Sequence, residues 1–207
     1  MADQHTRQPF PLVPPVLTTR HLILRPYDPE ADTDELFALF HASPEAEKVF
    51  TYLPLGPYKD AKELRESYLN TTIHGDVRAY VVVVKETERL AGRVNFMSVS
   101  NEHRRVEIGH VAYGPEYQRT YVNSETNMAL LEFAFEQWGA RRVEWKCNNL
   151  NEKSKAAALR LGFTYEGLFR QHMMVKGQNR DSAWFSIIDS EWPQVKAALQ
   201  TKLDKYE

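Results

Sequence analysis

Two short stretches of this 207-residue chain combine residue types that do more than fill a core. The first, Gln118-Arg119-Thr120-Tyr121-Val122-Asn123-Ser124, runs into the clearest amphipathic pattern in the sequence. A turn entering a helix presents unpaired backbone N–H groups at the positive end of the helix dipole, and a pyrophosphate satisfies both. Arg119 adds a positive charge. The second stretch is Cys147 to Phe163, CNNLNEKSKAAALRLGF. Asn151 is suited to cap a helix by accepting from the backbone N–H of Ser154, Gly162 suits the left-handed residue that ends it, and Phe163 can pack back on the last turn. Caps explain the two ends. They do not explain a polar first turn and a run of alanines, which point to a helix pressed against something that needs close backbone approach.

The elements that must hold these stretches follow from periodicity. Arg20 to Arg25, RHLILR, is short, apolar in the middle and stopped by Pro26, and reads as a first strand. Helices are expected over Asp32 to His41, with Leu36, Phe37 and Phe40 on one side, and over Asp60 to Thr71, with Leu64, Tyr68 and Leu69 likewise. The proline-bearing YLPLGPY lies between them. Strands follow at Ala79 to Lys85, Leu90 to Ser98 and Arg104 to Tyr113, joined by short polar turns that imply an antiparallel meander. Ser124 to Trp138 places Met128, Leu131, Phe135 and Trp138 at helical spacing. Arg142 to Cys147 is then a strand, Glu152 to Leu161 a helix, and Tyr165 to Val175 with Asp181 to Ile188 two strands around the turn KGQNRD. A last helix from about Glu191 repeats Val195, Leu199 and Leu203.

This order predicts an α/β (α+β) fold with a mixed, mostly antiparallel sheet and flanking helices. The fourth and fifth strands, joined by a crossover helix, run parallel and splay apart. Such neighbours leave a crevice at their carboxyl ends, and a ligand site is expected there.

The chain is long enough for one full core and too short for two. Residues 1–16, with prolines at 9, 11, 14 and 15, read as a flexible proline-rich leader, and 17–207 as a single domain. The net charge of -2 offers no general attraction to phosphate backbones, so nucleic acid is disfavoured as a partner. Cys147 is the only cysteine, which leaves no intrachain disulfide and no cysteine-built metal site; the simplest home is cytoplasmic. No segment approaches the roughly 18 apolar residues of a membrane span, so no membrane partner is expected.

The element order, the strand sequence VEIGHVAY, the loop beginning at Gln118 and the run NEKSKAAALRLGF followed by TYEG resemble the GNAT superfamily of acyl-CoA-dependent N-acyltransferases, especially its RimJ/RimL-type branch. The resemblance covers roughly Leu17 to Trp192. It implies acetyl-CoA as the acyl donor, no metal, and a primary amine as acceptor. In this family the loop has the form Q/R-x-x-G-x-G/A, and its amides hold the pyrophosphate. Gln118, Arg119, Thr120, Tyr121, Val122, Asn123 and Ser124 are the corresponding residues, while Val111 and Tyr113 on the preceding strand and Asn151 and Ser154 on the later helix would flank the pantetheine arm. Tyr121 stands where the first glycine is usual, and Asn123 where glycine or alanine is usual. Asn tolerates left-handed geometry and can cap the helix, whereas Tyr121 either crowds the phosphates or packs outward.

Transfer needs a neutral amine, a positioned thioester and a proton for the departing thiolate. Many relatives place a tyrosine acid on the later helix; Glu152 to Leu161 has none, and the resemblance leaves Ser154 as the donor toward sulfur, with Tyr165 next in line. Glu107 is the leading general base. His110 has the opposite parity along the same strand, an assignment that a kink would change. His172 and Glu166 are weaker candidates. The acceptor is read as a small-molecule amine, the alternatives being a peptide N-terminus, as in ribosomal-protein acetyltransferases, or a catalytically weak acyl-CoA-binding module. The protein is read as a monomer or homodimer.

Overall fold

The computed structural model describes residues 8–73 and 77–206. The first seven residues of the expected leader and the last residue, 207, of the expected domain lie outside them. Eight strands form one sheet in the order β1-β2-β3-β4-β5-β6-β8-β7: β1 (Leu17–Thr18), β2 (Leu22–Pro26), β3 (Arg78–Val84), β4 (Leu90–Ser100), β5 (Arg105–Tyr113), β6 (Arg142–Asn148), β7 (Thr164–Val175) and β8 (Gln178–Ile188). Among the described residues every pairing is antiparallel except β5 with β6. That one exception is the expected crossover, whose helix is too long a connection for a hairpin.

Among the described residues the α-helices are α1 (Thr33–His41), α2 (Pro44–Glu47), α3 (Ala61–Ile73), α4 (Tyr121–Glu132, continued by a π-helix over Phe133–Trp138), α5 (Glu152–Leu161) and α6 (Trp192–Leu203). Alternation along the strands sends Leu22, Leu24, Val94, Phe96, Val106, Ile108 and Val143 to the face covered by α4, α5 and α6. Val81 and Ala112 go to the other face, beneath Leu36 and Phe40 of α1 and Leu64 and Tyr68 of α3. The strand β1 and the four-residue α2 are additions to the expected elements, each too short to show a period. The turn between β7 and β8 is tighter than the expected KGQNRD, because pairing continues to Val175 and Gln178.

Part of the stretch read as a leader is anchored. Phe10 is buried among Phe96, Phe133 and Trp138 in edge-to-face contacts, and its N–H donates to Asn101 Oδ1 at 2.7 Å. Burying an aromatic ring stabilises by roughly 1.5–3 kcal/mol, enough to fix a few residues of otherwise loose chain.

Candidate active site

Strands β5 and β6 pair at Arg105/Arg142, Val106/Val143 and Glu107/Glu144, and then part. Beyond that point β5 follows β4, and β6 follows β8. The edges 108–113 and 145–148 therefore lie beyond the last pair without ladder hydrogen bonds to each other, which opens a wedge between them. Unpaired backbone groups at this depth need a partner, and a slender extended ligand supplies one.

A bulge shapes one wall of the wedge. Arg93 pairs with Ala112 and Asn95 with Gly109, so one residue of β4 faces two of β5, and His110 takes a left-handed φ of 51°. Simple alternation puts His110 and Glu107 on opposite faces. The bulge overturns that expectation: His110 lines a cavity with Tyr68, Arg93 and Asn95 on the α1/α3 side, and its Nδ1 lies 3.0 Å from Asn95 Nδ2. Burial, with the positive charges of Arg93 and Arg180, lowers its pKa to about 4, which keeps the imidazole neutral near pH 7.

Glu107 is buried at the last paired position of β5. Its Oε2 accepts from Lys146 Nζ at 2.8 Å and Ser98 Oγ at 3.1 Å. Lys146 also lies 3.1 Å from Glu144 and 4.0 Å from the Trp184 ring centroid. Oε1 takes no hydrogen bond among the described residues; a Cβ on Gly109 would sit 3.5 Å from it, so the glycine leaves its approach open. Glu144 is raised by burial, but Arg142 and Lys146 outweigh that and hold it below the usual carboxylate range. Glu166, a weaker base candidate, is engaged bidentately by Arg142 at 2.7 and 2.5 Å and by Ser186 Oγ at 2.7 Å. His172 is tied through Nδ1 to Ser182 Oγ at 2.9 Å. Tyr165 is half exposed on the edge strand against Phe185.

On the other side of the wedge α5 has the expected ends. Asn151 Oδ1 accepts from Ser154 N at 3.0 Å, and Gly162 sits at φ 97° with its N–H bonded to Ala158 and Leu159 carbonyls. Trp145, buried on β6, donates its indole N–H to Ser154 Oγ at 3.0 Å. That bond occupies one lone pair of Oγ and leaves the hydroxyl one proton to donate, for which the Cys147 sulfur competes. Its near neighbour is Cys147, whose thiol is pushed up by burial and only partly drawn back by the Ser154 hydrogen bond, so it remains protonated.

The phosphate-binding loop differs in detail from expectation. Helix α4 starts at Tyr121, three residues before Ser124, because Thr120 is extended and its Oγ1 accepts from Val122 N at 3.2 Å. Asn123, expected as a cap, lies inside the first turn, where its carbonyl and side-chain oxygens accept from Asn127 Nδ2 at 2.8 and 3.0 Å. The amides of Arg119, Thr120 and Tyr121 have no backbone acceptor among the described residues. Arg119 is exposed, at φ 63°. The Tyr121 ring is half-buried against the core, its centroid 4.9 Å from that of His21 and 6.0 Å from that of Tyr206. Val122 is buried in the core, while Ser124 is half-buried.

Val111 packs against the core and the Tyr113 ring is buried, so both can offer a ligand only backbone groups; the Tyr113 carbonyl already accepts from Gln118 Nε2 at 3.1 Å. Three free amides at the positive end of a helix, an open strand edge and the Asn151/Ser154 pair beside it fit the pyrophosphate, arm and thioester of an acyl-CoA.

Sequence reasoning passed over Trp145, Lys146 and Arg93. The signal for Arg93 was present: in LAGRVNF, Arg93 and Asn95 share one face of an otherwise apolar strand.

A mixed sheet opened by a parallel splay beside a helix N-terminus defines a fold for acyl-CoA transfer. The family model described as an acetyltransferase (GNAT) domain matches residues 21–164, more than half of the chain, and the protein belongs to that family. The solved GCN5-related N-acetyltransferase from Brucella melitensis is 36% identical, with a TM-score of 0.87 over 95% of this chain and 89% of that one. The uncharacterised N-acetyltransferase p20 of Bacillus licheniformis is 27% identical over 176 residues, 85% of this chain and 97% of p20. A ribosomal-protein-S5-alanine acetyltransferase from Vibrio fischeri shares the fold at 17% identity, with a TM-score of 0.68 over 86% of this chain and 98% of that one.

Proposed function

We propose that this acetyltransferase moves the acetyl group of acetyl-CoA to the primary amine of a small molecule, with Glu107 as general base and Ser154 as hydrogen-bond donor to the departing sulfur. What supports the reading is the Trp145 hydrogen bond that orients Ser154 on the first turn of α5, together with the position of Glu107 at the last pair before β5 leaves β6. Acetyl-CoA supplies a thioester carbonyl activated for attack by an amine. The free amides of Arg119 to Tyr121 bind its pyrophosphate at the helix dipole, and the edge of β5 together with Asn151 orients the arm.

Glu107 receives the proton of the incoming ammonium at Oε1, directly or through one water, while Lys146 holds Oε2. Ser154 presents its Oγ–H toward sulfur because Trp145 fixes the opposite side of the oxygen. A donor aimed where charge develops acts mainly on the transition state.

The test is calorimetry with acetyl-CoA, together with thiol release over a panel of small amines and N-terminal peptides of ribosomal proteins. Micromolar binding and turnover on a small amine support the reading. Turnover restricted to the peptides makes this a protein N-terminal acetyltransferase.

A further inference from the structure

On the α1/α3 face, below the wedge, Arg93 of β4 is 5% exposed, yet no carboxylate among the described residues pairs with it. Its guanidinium lies over the Tyr68 ring, 4.6 Å from the centroid, and the hydroxyls of Tyr58 and Tyr27 are what offset its burial. Arginine stays charged in proteins, so a cation here is desolvated without a counter-ion, which is costly. The polar atoms around it are unsatisfied as well. Arg93 Nε, the Tyr68 hydroxyl and Asn95 Oδ1 are buried with no hydrogen-bond partner among the described residues. All three residues line one cavity with His110, and Pro54 and Leu55 of the connection between α2 and α3 form part of its wall. Other buried charges are paired within the chain: Asp32 holds Arg25 through bonds of 2.7 and 2.6 Å, and Glu144 lies between Arg142 and Lys146. Arg93 Nε, the Tyr68 hydroxyl and Asn95 Oδ1 instead belong to residues lining one cavity, where a ligand can supply the partner.

Resting on the acetyl-transfer reading above, the geometry points to this cavity as a carboxylate subsite: the acceptor is an amine that carries a carboxylate, such as a free amino acid, held by Arg93 and Tyr68 with an acceptor N–H directed at Asn95. Arg93 Nε–H and the Tyr68 O–H are donors, the Nε2–H of a neutral His110 bonded at Nδ1 is another, and Asn95 Oδ1 is an acceptor; this set complements an anion with an N–H beside it. A carboxylate matches the single positive charge better than a doubly charged phosphate. The subsite also lies beside the wedge. Asn95 pairs with Gly109, two residues beyond Glu107, and His110 lines the cavity, so the acceptor seats against the stretch of β5 that carries Glu107.

Three acceptor sets test this: the L-amino acids, their C-terminal amides and the corresponding decarboxylated amines, assayed with wild type, Arg93→Met, Arg93→Lys and Tyr68→Phe. In the wild type kcat/KM is expected to favour acids over amides and amines by about tenfold or more, carried by KM. Arg93→Met collapses that ratio, Arg93→Lys restores part of it, and Tyr68→Phe lowers it by a few-fold. Equal rates on acids, amides and amines, or a ratio indifferent to Arg93→Met, overturn the subsite.

A second arm needs no turnover. Millimolar amino acid raises the melting temperature of wild type but not of Arg93→Met, and Arg93→Met melts higher than wild type without ligand because the unpaired charge is gone. The absence of any amino-acid shift, or a destabilised Arg93→Met, overturns the proposal. Absence of acetyl-CoA binding with an intact amino-acid shift defeats the transfer reading and leaves the subsite standing.

Discussion

The indole N–H of Trp145 donates to Ser154 Oγ across 3.0 Å, linking a buried residue of β6 to the first turn of α5 at the mouth of the strand splay. A hydroxyl that accepts on one side is held in orientation to donate on the other. Ser154→Ala is expected to lower kcat by about 10- to 1000-fold while changing the acetyl-CoA dissociation constant by less than about threefold, since charge on sulfur develops only as the thioester breaks. Trp145→Phe keeps most of the packing and removes the donor, so kcat should fall by a smaller factor, about 3- to 10-fold. Steady-state kinetics with calorimetry on both variants checks this, and a Ser154→Ala enzyme with normal kcat moves the proton donor elsewhere.

Glu107→Gln removes the base and keeps the shape. Turnover is expected to fall by about 10²-fold or more. Lys146 retains Glu144 at 3.1 Å after the substitution, so the fold should persist at a cost of about 1–3 kcal/mol. Denaturant melts run beside the kinetics separate the two effects. A variant destabilised to that extent yet fully active would assign Glu107 to the ion-pair network alone.

Much of this arrangement is legible in the amino-acid sequence, because the chemistry behind it is local. Asn151 and Gly162 cap α5 as expected, since a cap depends on one side chain and one backbone conformation within its own turn. The parallel pair follows from a connection too long for a hairpin. The features that the sequence hides depend on competition or on distance. Thr120 and Asn123 are both competent caps, and the sequence does not rank them; the extended backbone at Thr120 decides. The facing of His110 turns on one extra residue in β5 relative to β4, which alternation along a single strand cannot register. Phe10 sits in a proline-rich segment without periodicity and is anchored by rings more than eighty positions away in the chain. Arg93 reads as a polar interruption of a strand, and its lack of an anion becomes visible only when every neighbouring element is in place.

Tyr121 separates packing from ligand binding. Its ring contacts His21 and Tyr206, and its amide is the first of α4. Tyr121→Ala should therefore lower stability by about 1–2 kcal/mol through lost ring contacts while shifting acetyl-CoA affinity by less than about threefold. Tyr121→Gly adds backbone freedom at the phosphate site and should cost roughly a further 0.5–1 kcal/mol of stability. Thermal melts and calorimetry measure both. A large affinity change in the alanine variant would place the ring at the phosphates after all.

His110 provides a test in pH. Its pKa is lowered from 6.5 to about 4 by burial and by Arg93 and Arg180. An unfolded chain therefore binds a proton at this position below about pH 6.5 that the folded chain refuses until about pH 4, so ν of the unfolded state exceeds that of the native state across this window and stability rises with pH there. Above it the contribution vanishes, and below it the contribution is constant. The full loss on acidification is about 3 kcal/mol, at about 1.4 kcal/mol for each pH unit of the window. His110→Asn is the informative variant, because asparagine tolerates the left-handed φ of 51° and carries no titrating ring. Urea unfolding at pH 7.5, 5.5 and 4.5 should show wild type losing stability relative to His110→Asn at each acid step, while carboxylates common to both chains cancel in the difference. A wild-type-minus-variant difference that is flat from pH 7.5 to 4.5 means that His110 is accessible to protons in the folded protein, and the neutral imidazole at the edge of the wedge is then lost as an acceptor-binding group.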